Sequence, residues 1–354
     1  MSTKEASIVY MPYVRFAGRP RVGPWELRPL KRARGWPSKE FGQVARRYLT
    51  RHRDVVGKSL TDMTVVSRDG ELCYSEDPDP DELRALQAAL ALAVLSGNPT
   101  STDESWRVVT SDNLDLFQYR LSGSDTYFTS SRGSVVTVTN HAKLFGPRST
   151  IAAPSELHAP ETRVLLDDGL ASETYGLLVG IPDRERADRL YASIMWLMNF
   201  WRNSPALTWA TRAVMVRSGI EVLLDRRGAW DQSKVLRARF EDLHSRYPHN
   251  AFDELLWSPS EDESRTVIVG GKEQPATPLQ HWYMKLSNHR NETLHSATGA
   301  EGPVFDADGP YGGPLVWTGE HVLRDLIRAE LSVLAGSPLF EGKLYRALWA
   351  ALEE

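Results

Sequence analysis

The chain has 354 residues, 41% of them hydrophobic, a formal net charge of −4 and a single cysteine, Cys73. That length fits two domains with ample apolar content for their cores, while one cysteine rules out an internal disulfide or a thiolate metal cluster. No run of about 18 apolar residues predicts a membrane span, and the opening Met1-Ser2-Thr3-Lys4-Glu5 has no apolar leader, so a reducing cytoplasm is the expected location.

The charge is unevenly spread. Residues 1–58 carry fourteen Lys/Arg against four Asp/Glu, a net of +10 that leaves −14 for the rest. Such a segment suits either a polyanion such as nucleic acid or an internal contact with the acidic remainder. Residues 1–180 are expected to be mixed α and β. Strand-forming runs at 7–16, 64–74, 114–121 and 134–139 are bounded by Gly, Asp, Ser and Pro. Helices are expected at 39–53 and 81–95, the latter with acidic residues at its start, as the helix dipole favours. Asp77-Pro78-Asp79-Pro80-Asp81-Glu82 is a turn and helix start, because no glycine or later glutamate completes a calcium loop.

Character changes at Gly180-Ile181-Pro182-Asp183. Beyond it the spacing predicts helices over 184–203, 209–225, 232–245, 278–296, 318–334 and 341–354, with a short hairpin near 267–271. The first carries Leu190, Tyr191, Ile194, Met195, Leu197, Met198, Phe200 and Trp201, apolar on nearly every face, as in a helix buried within a bundle or at a subunit interface. Neither Gly270-Gly271-Lys272 nor the glycines at 309–313 have phosphate-loop spacing.

Arg290-Asn291-Glu292-Thr293-Leu294-His295 places a permanent cation, an amide and an imidazole within six residues. An imidazole moves protons near neutral pH, and a guanidinium holds a phosphate by two hydrogen bonds. On a helix, Asn291 and His295 share nearly one face, with Arg290 about 140° from His295 on the adjoining flank. The apolar stripe Leu279, Trp282, Tyr283 and Leu286 runs into this polar end, so Arg290 must meet a cleft, a partner or a carboxylate. Glu221 is the candidate carboxylate; the alternative is an ordinary solvent-exposed helix residue. Arg and His five apart also occur at Arg47/His52 and Arg239/His244, but there Tyr48 and Phe240 replace the small polar residue after the arginine. The stripe Val235, Leu236, Arg239 and Leu243 is compatible with simple packing, and His281 and His289 are expected to be packing or surface histidines.

The hexapeptide resembles the Arg-(Asn/Asp/His)-x-x-x-His signature of the HEPN superfamily. The segment from Arg212 through Arg217, Gly219 and Glu221 to Leu224 resembles the ApeA-like HEPN pattern, departing from it at Arg217, where an apolar residue is usual, and at Gly219. The resemblance covers roughly residue 187 to the C-terminus. The α+β N-terminal domain, 1–180, read from the runs above, lies outside it and is expected to sense a trigger or select substrate through an unknown ligand. The resemblance implies an all-α HEPN helical bundle over 183–354. It also implies a homodimeric endoribonuclease in bacterial anti-phage defence, with Arg290, His295 and Asn291 catalytic, Glu221 supporting, RNA as substrate, and no metal or cofactor. The expected product is a 2′,3′-cyclic phosphate. The alternatives are a non-catalytic HEPN protein that binds RNA or a partner, and a sensor whose helical domain only dimerises.

Overall fold

The computed structural model describes residues 6–32, 42, 46, 49, 60, 63–72, 74, 78–97, 110–121, 126–130, 135–136, 162–164, 166–202, 207–224, 228–246, 265–295, 315–337 and 339. The chain divides into two compact units, Met1–Gly180 and Ile181–Glu354. The first is α+β and the second mainly helical.

Seven strands of the first unit form one antiparallel sheet. They are β1 (Ala6–Met11), β3 (Arg21–Val22), β4 (Trp25–Pro29), β5 (Thr64–Arg68), β6 (Phe117–Leu121), β7 (Thr126–Ser130) and β8 (Val135–Val136), in the order β3-β4-β5-β1-β6-β7-β8. β1 is central: Val9 faces Val66 of β5 and Gln118 of β6, and Ile8, Val9, Tyr10 and Met11 are all buried. The single strand expected over 7–16 is in fact two. Pro12, which has no N–H for a ladder, follows β1, and β2 (Val14–Phe16) pairs in parallel with β9 (Thr162–Val164) in a separate sheet. The run expected over 64–74 stops at Arg68, where Asp69 (φ 49°) and Gly70 (φ 89°) turn the chain. In the run at 114–121, Leu114 closes a 3-10 helix and the strand begins at Phe117. Of the run at 134–139, Val135–Val136 is a strand and the rest lies outside the described residues.

Among the described residues two helices with defined bounds accompany the sheet. In α1 (Pro80–Gly97) proline takes the first helical position, where its missing N–H costs nothing, and Asp79 Oδ1 accepts from the Asp81 N–H at 2.9 Å. The expected helix over 39–53 falls mostly outside the described residues, as do Arg47 and His52; positions 42, 46 and 49 are helical. α2 (Asp168–Val179), which the sequence pattern did not announce, is capped by Asp167 accepting from the Leu170 N–H at 2.9 Å. It docks on the β3–β4 hairpin, where Tyr175 accepts a buried hydrogen bond from Trp25 Nε1 at 3.1 Å. Gly23 (φ 57°) makes that approach possible, because a Cβ there would lie 2.5 Å from the Tyr175 ring.

The second unit contains α3 (Arg184–Phe200), α4 (Trp209–Leu224), α5 (Ala229–Arg246), the hairpin β10 (Arg265–Val269) and β11 (Lys272–Ala276), α6 (Pro278–His295) and α7 (Leu315–Ala335). The hairpin lies where one was expected, near 267–271, and makes this unit mainly helical, not wholly so. It turns through Gly270 (φ 58°) and Gly271 (φ 77°), the left-handed pair a two-residue turn requires. The expected helix over 341–354 and the glycines at 309–313 lie outside the described residues. α4 packs against α3, α5, α6 and α7. Small residues let these helices close up: Ser193 of α3 donates to the Gly219 carbonyl at 3.0 Å, and a Cβ on Gly219 would meet Leu323 at 2.7 Å and the Trp196 Cβ at 3.1 Å. Gly219, a weak helix former, is therefore a packing residue.

Gly319 of α7 is tighter still, since its Cβ would fall 2.5 Å from Cγ1 of Val216, a β-branched side chain with little freedom. Gly319→Ala is expected to lower stability by about 1–2 kcal/mol, overpacking outweighing a gain of about 1 kcal/mol in helix propensity. Gly176→Ala, in α2 with nothing within 4 Å of its added Cβ, should instead gain up to about 1 kcal/mol. Urea unfolding of the two variants should give shifts of opposite sign.

Candidate functional site

α6 carries the polar hexapeptide at its C-terminal end. Its start is a capping box: Thr277 Oγ1 accepts from the Gln280 N–H at 3.3 Å, and Gln280 Oε1 accepts from the Thr277 N–H at 3.0 Å. Leu279, Trp282, Tyr283 and Leu286 are buried as the stripe predicted, and Ser287 and His289 continue it inward. Polarity then emerges. Arg290 is half-buried and Asn291 exposed, with Arg290 Nη1 donating to Asn291 Oδ1 at 3.1 Å. Arg290 Nε is buried with no hydrogen-bond partner among the described residues. His295 is the last residue of the helix; its side chain lies outside the described residues.

Glu221 does not pair with Arg290, which has no carboxylate partner among the described residues. Its Oε2 accepts from Arg217 Nη1 at 3.1 Å and its Oε1 from Gln232 Nε2 at 3.3 Å. Arg217, the departure noted mid-helix, is the hub of this cluster. It is 5% exposed, donates from Nε to Ser287 Oγ at 2.8 Å and from Nη2 to Gln232 Oε1, and its guanidinium lies 4.7 Å from the Tyr283 ring centroid. Tyr283 donates to the same Gln232 oxygen at 3.1 Å. One amide thus accepts two hydrogen bonds at its oxygen and donates to a carboxylate at its nitrogen, so its orientation is unambiguous. Burial pushes the Tyr283 hydroxyl well above the usual phenol range; nearby Arg217 and Arg290 oppose that shift and Glu221 adds to it. Arg290 and Glu221 therefore act on one phenol while making their hydrogen bonds elsewhere.

A second polar centre, on α7, went unnoticed in the sequence. Glu320, Arg324 and Arg328 repeat at four-residue spacing, and His321 and Asp325 form the adjoining row. Burial raises the carboxyls of Glu320 and Asp325, while their neighbouring arginines pull in the opposite direction. His321 falls to about 4 because it is desolvated and faces Arg324 and Arg328. Its Nδ1 meets Arg324 Nη2, so the neutral ring accepts there. The available signal was six ionisable residues inside an otherwise mostly apolar helix, Glu330 being the sixth. Arg239 does not simply pack; it forms an ion pair with Glu330 of α7. The side chain of His244 lies outside the described residues.

No protein-family model, curated protein or solved structure matches the chain. Among the described residues no group of three or more His, Cys, Asp or Glu could hold a metal ion, and no helix is long and apolar enough to cross a membrane.

Arg217→Leu is expected to lose about 1–3 kcal/mol in chemical denaturation, because buried partners lose a donor. Arg217→Lys should recover only part of it, since an ammonium lacks the planar fork that reaches Ser287, Gln232 and Glu221 together. His321 sets a pH dependence. The unfolded ring takes its proton near 6.5 and the folded one only near 4, so the unfolded state binds more protons between those values. Stability contributed by His321 is present above about 6.5 and is lost as pH falls toward 4. The raised carboxyls slope the other way, so the measurement is a difference: His321→Asn should show a smaller loss of stability than wild type across that window.

Proposed function

We propose that the chain is a metal-independent endoribonuclease of the HEPN type, working as a homodimer in which Arg290 and His295 of two copies share one cleft. The observation that supports this reading most is the state of Arg290. Glu221, the carboxylate in its vicinity, is held by Arg217 and Gln232, while Arg290 is steadied by Asn291 and has an unpartnered Nε. A guanidinium without a carboxylate among the described residues, at the end of a well-anchored helix that finishes in His295, suits a phosphodiester.

In the proposed reaction, His295 of one copy removes the proton from an RNA 2′-hydroxyl. The 2′-oxygen attacks the adjacent phosphorus, and the bond to the 5′-oxygen breaks as the second copy's His295 protonates that leaving oxygen. The products are a 2′,3′-cyclic phosphate and a 5′-hydroxyl. Arg290 stabilises the charge that grows on the pentavalent phosphorus, where aligned donors act more strongly than on the ground state. Two imidazoles on opposite sides of the phosphate are the reason for a dimer, and a two-fold pair is the commonest soluble assembly. The α+β unit, Met1–Gly180, is assigned to sensing a trigger or selecting RNA. Such control fits a role in defence against phage, in the cytoplasm.

The deciding experiment is RNA cleavage in EDTA, with end-group analysis of the products. Cyclic phosphate and 5′-hydroxyl ends are expected. His295→Ala and Arg290→Ala should each lower the rate by about 10²–10⁴ while leaving a folded dimer by light scattering. RNA that binds but stays intact with and without divalent cations would favour the non-catalytic binding protein instead.

A further inference from the structure

Away from the hexapeptide, three arginines of the helical unit face a cavity. Arg186 of α3 and Arg239 of α5 converge on one carboxylate, Glu330 of α7. Arg186 Nη2 donates to Oε2 at 3.0 Å, and Arg239 Nη1 donates to Oε1. Their side chains are 34% and 33% exposed and that of Glu330 is 21% exposed, so this cluster borders solvent without being fully solvated. Arg189, three residues after Arg186, completes the polar wall of a cavity of about 380 Å³. The rest of the lining is Leu190, Leu223, Leu224 and Val235, of which the three leucines are buried. That volume falls within the range of about 300–1,000 Å³ typical of small-molecule sites.

Charge and shape point the same way. The lining holds three guanidiniums and one carboxylate, an excess of two positive charges. Glu185 pairs with Arg189 at 2.7 Å from outside the lining, so the charge offered to a ligand rests on Arg186 and Arg239, which share one carboxylate. Converging guanidiniums in a partly desolvated cavity concentrate positive potential there. Glu330 already shows the group they accept: an oxyanion bridging two forks. Each of Arg186 and Arg239 engages Glu330 through one terminal nitrogen, and a planar five-donor fork can meet a second oxyanion. The apolar part of the lining is entirely aliphatic, with no aromatic ring on which a nucleobase would stack.

The geometry points to a binding site for a small aliphatic oxyanion, a carboxylate or phosphate head on a hydrocarbon chain, between α3, α4, α5 and α7. The head lies against Arg186, Arg189 and Arg239, and the chain lies along the aliphatic wall, where Val235 is the half-buried residue and Leu190, Leu223 and Leu224 form the floor behind it. This assignment is independent of the RNA-cleaving reading, because it uses neither Arg290 nor His295.

Isothermal titration of the full chain tests it with four probes: octanoate, n-octyl phosphate, octanol and inorganic phosphate, with AMP as the nucleotide comparison. At least one of the two chain-bearing anions is expected to bind with Kd below about 1 mM, and which one binds tighter identifies the head. Octanol and inorganic phosphate should each be about tenfold weaker or worse, since each lacks half of the recognition. Arg239→Gln and Arg186→Gln should each weaken the anion about tenfold. Val235→Trp, which fills the cavity from its apolar wall and leaves every arginine in place, should remove binding; circular dichroism confirms that each variant is folded. The assignment is overturned if neither chain-bearing anion binds the wild-type chain. It is equally overturned if binding persists in folded Arg239→Gln and Val235→Trp, or if AMP or inorganic phosphate binds as tightly as the aliphatic anions.

Discussion

The helical unit is organised around a cation that has almost no access to water. A buried guanidinium is tolerated only where its donors find acceptors and its charge finds a counter-charge. Arg217 satisfies that condition across three helices: Glu221 on its own helix, Gln232 on α5, and Ser287 with the face of Tyr283 on α6. Those directional bonds resist rotation of α6 against α4 more strongly than an apolar seam would. Ser287 lies three residues before Arg290, so the constraint that holds the one also aims the other.

The same network decides which charges are available for chemistry. By occupying Glu221, Arg217 and Gln232 keep a carboxylate from neutralising Arg290. Two described imidazoles, those of His289 and His321, are withdrawn from solvent. His289 is buried, and His321 is held neutral by desolvation and by Arg324 and Arg328, so near neutral pH it accepts hydrogen bonds without carrying charge. α7 carries ionisable groups for another purpose: Asp325 and Arg328 pair within the core, and Glu330 ties α3 to α5.

What could be read in the sequence was what depends on periodicity. The stripe Leu279, Trp282, Tyr283 and Leu286 is buried because a period of 3.6 leaves no other face for it, and the helix ends fall within a few residues of their expected places. What could not be read depends on competition between partners. Opposite charges on α4 and α6 made Glu221–Arg290 a reasonable pair, yet Arg217, four residues before Glu221 on the same helix, reaches that carboxylate first. The two departures from the family-like pattern, Arg217 and Gly219, are the positions with the clearest structural reasons. The strands suffered for a different cause. Arg21–Val22, Trp25–Pro29 and Thr162–Val164 are two to five residues long, too short to establish an alternation. In α2, Gly169 and Gly176 dilute the helical signal, which the Asp167 cap and the contact of Tyr175 with Trp25 restore in the folded chain.

Arg239 and Arg290 show why a motif's spacing cannot settle its chemistry. Each is an arginine on a helix, five residues before a histidine. Their surroundings differ in the property that matters. Arg239 meets Glu330, a carboxylate from another helix that also binds Arg186, so its charge is part of a bridge that closes one side of a cavity. Arg290 meets an amide, which orients a guanidinium without cancelling its charge. An anion arriving at Arg239 has to share forks already engaged by a carboxylate, which favours a small, geometrically matched head. An anion arriving at Arg290 meets no such competitor among the described residues, which favours a group that must gain negative charge as it reacts. In the proposed roles the same side chain serves recognition in one place and transition-state stabilisation in the other, and the difference lies in a single neighbouring carboxylate.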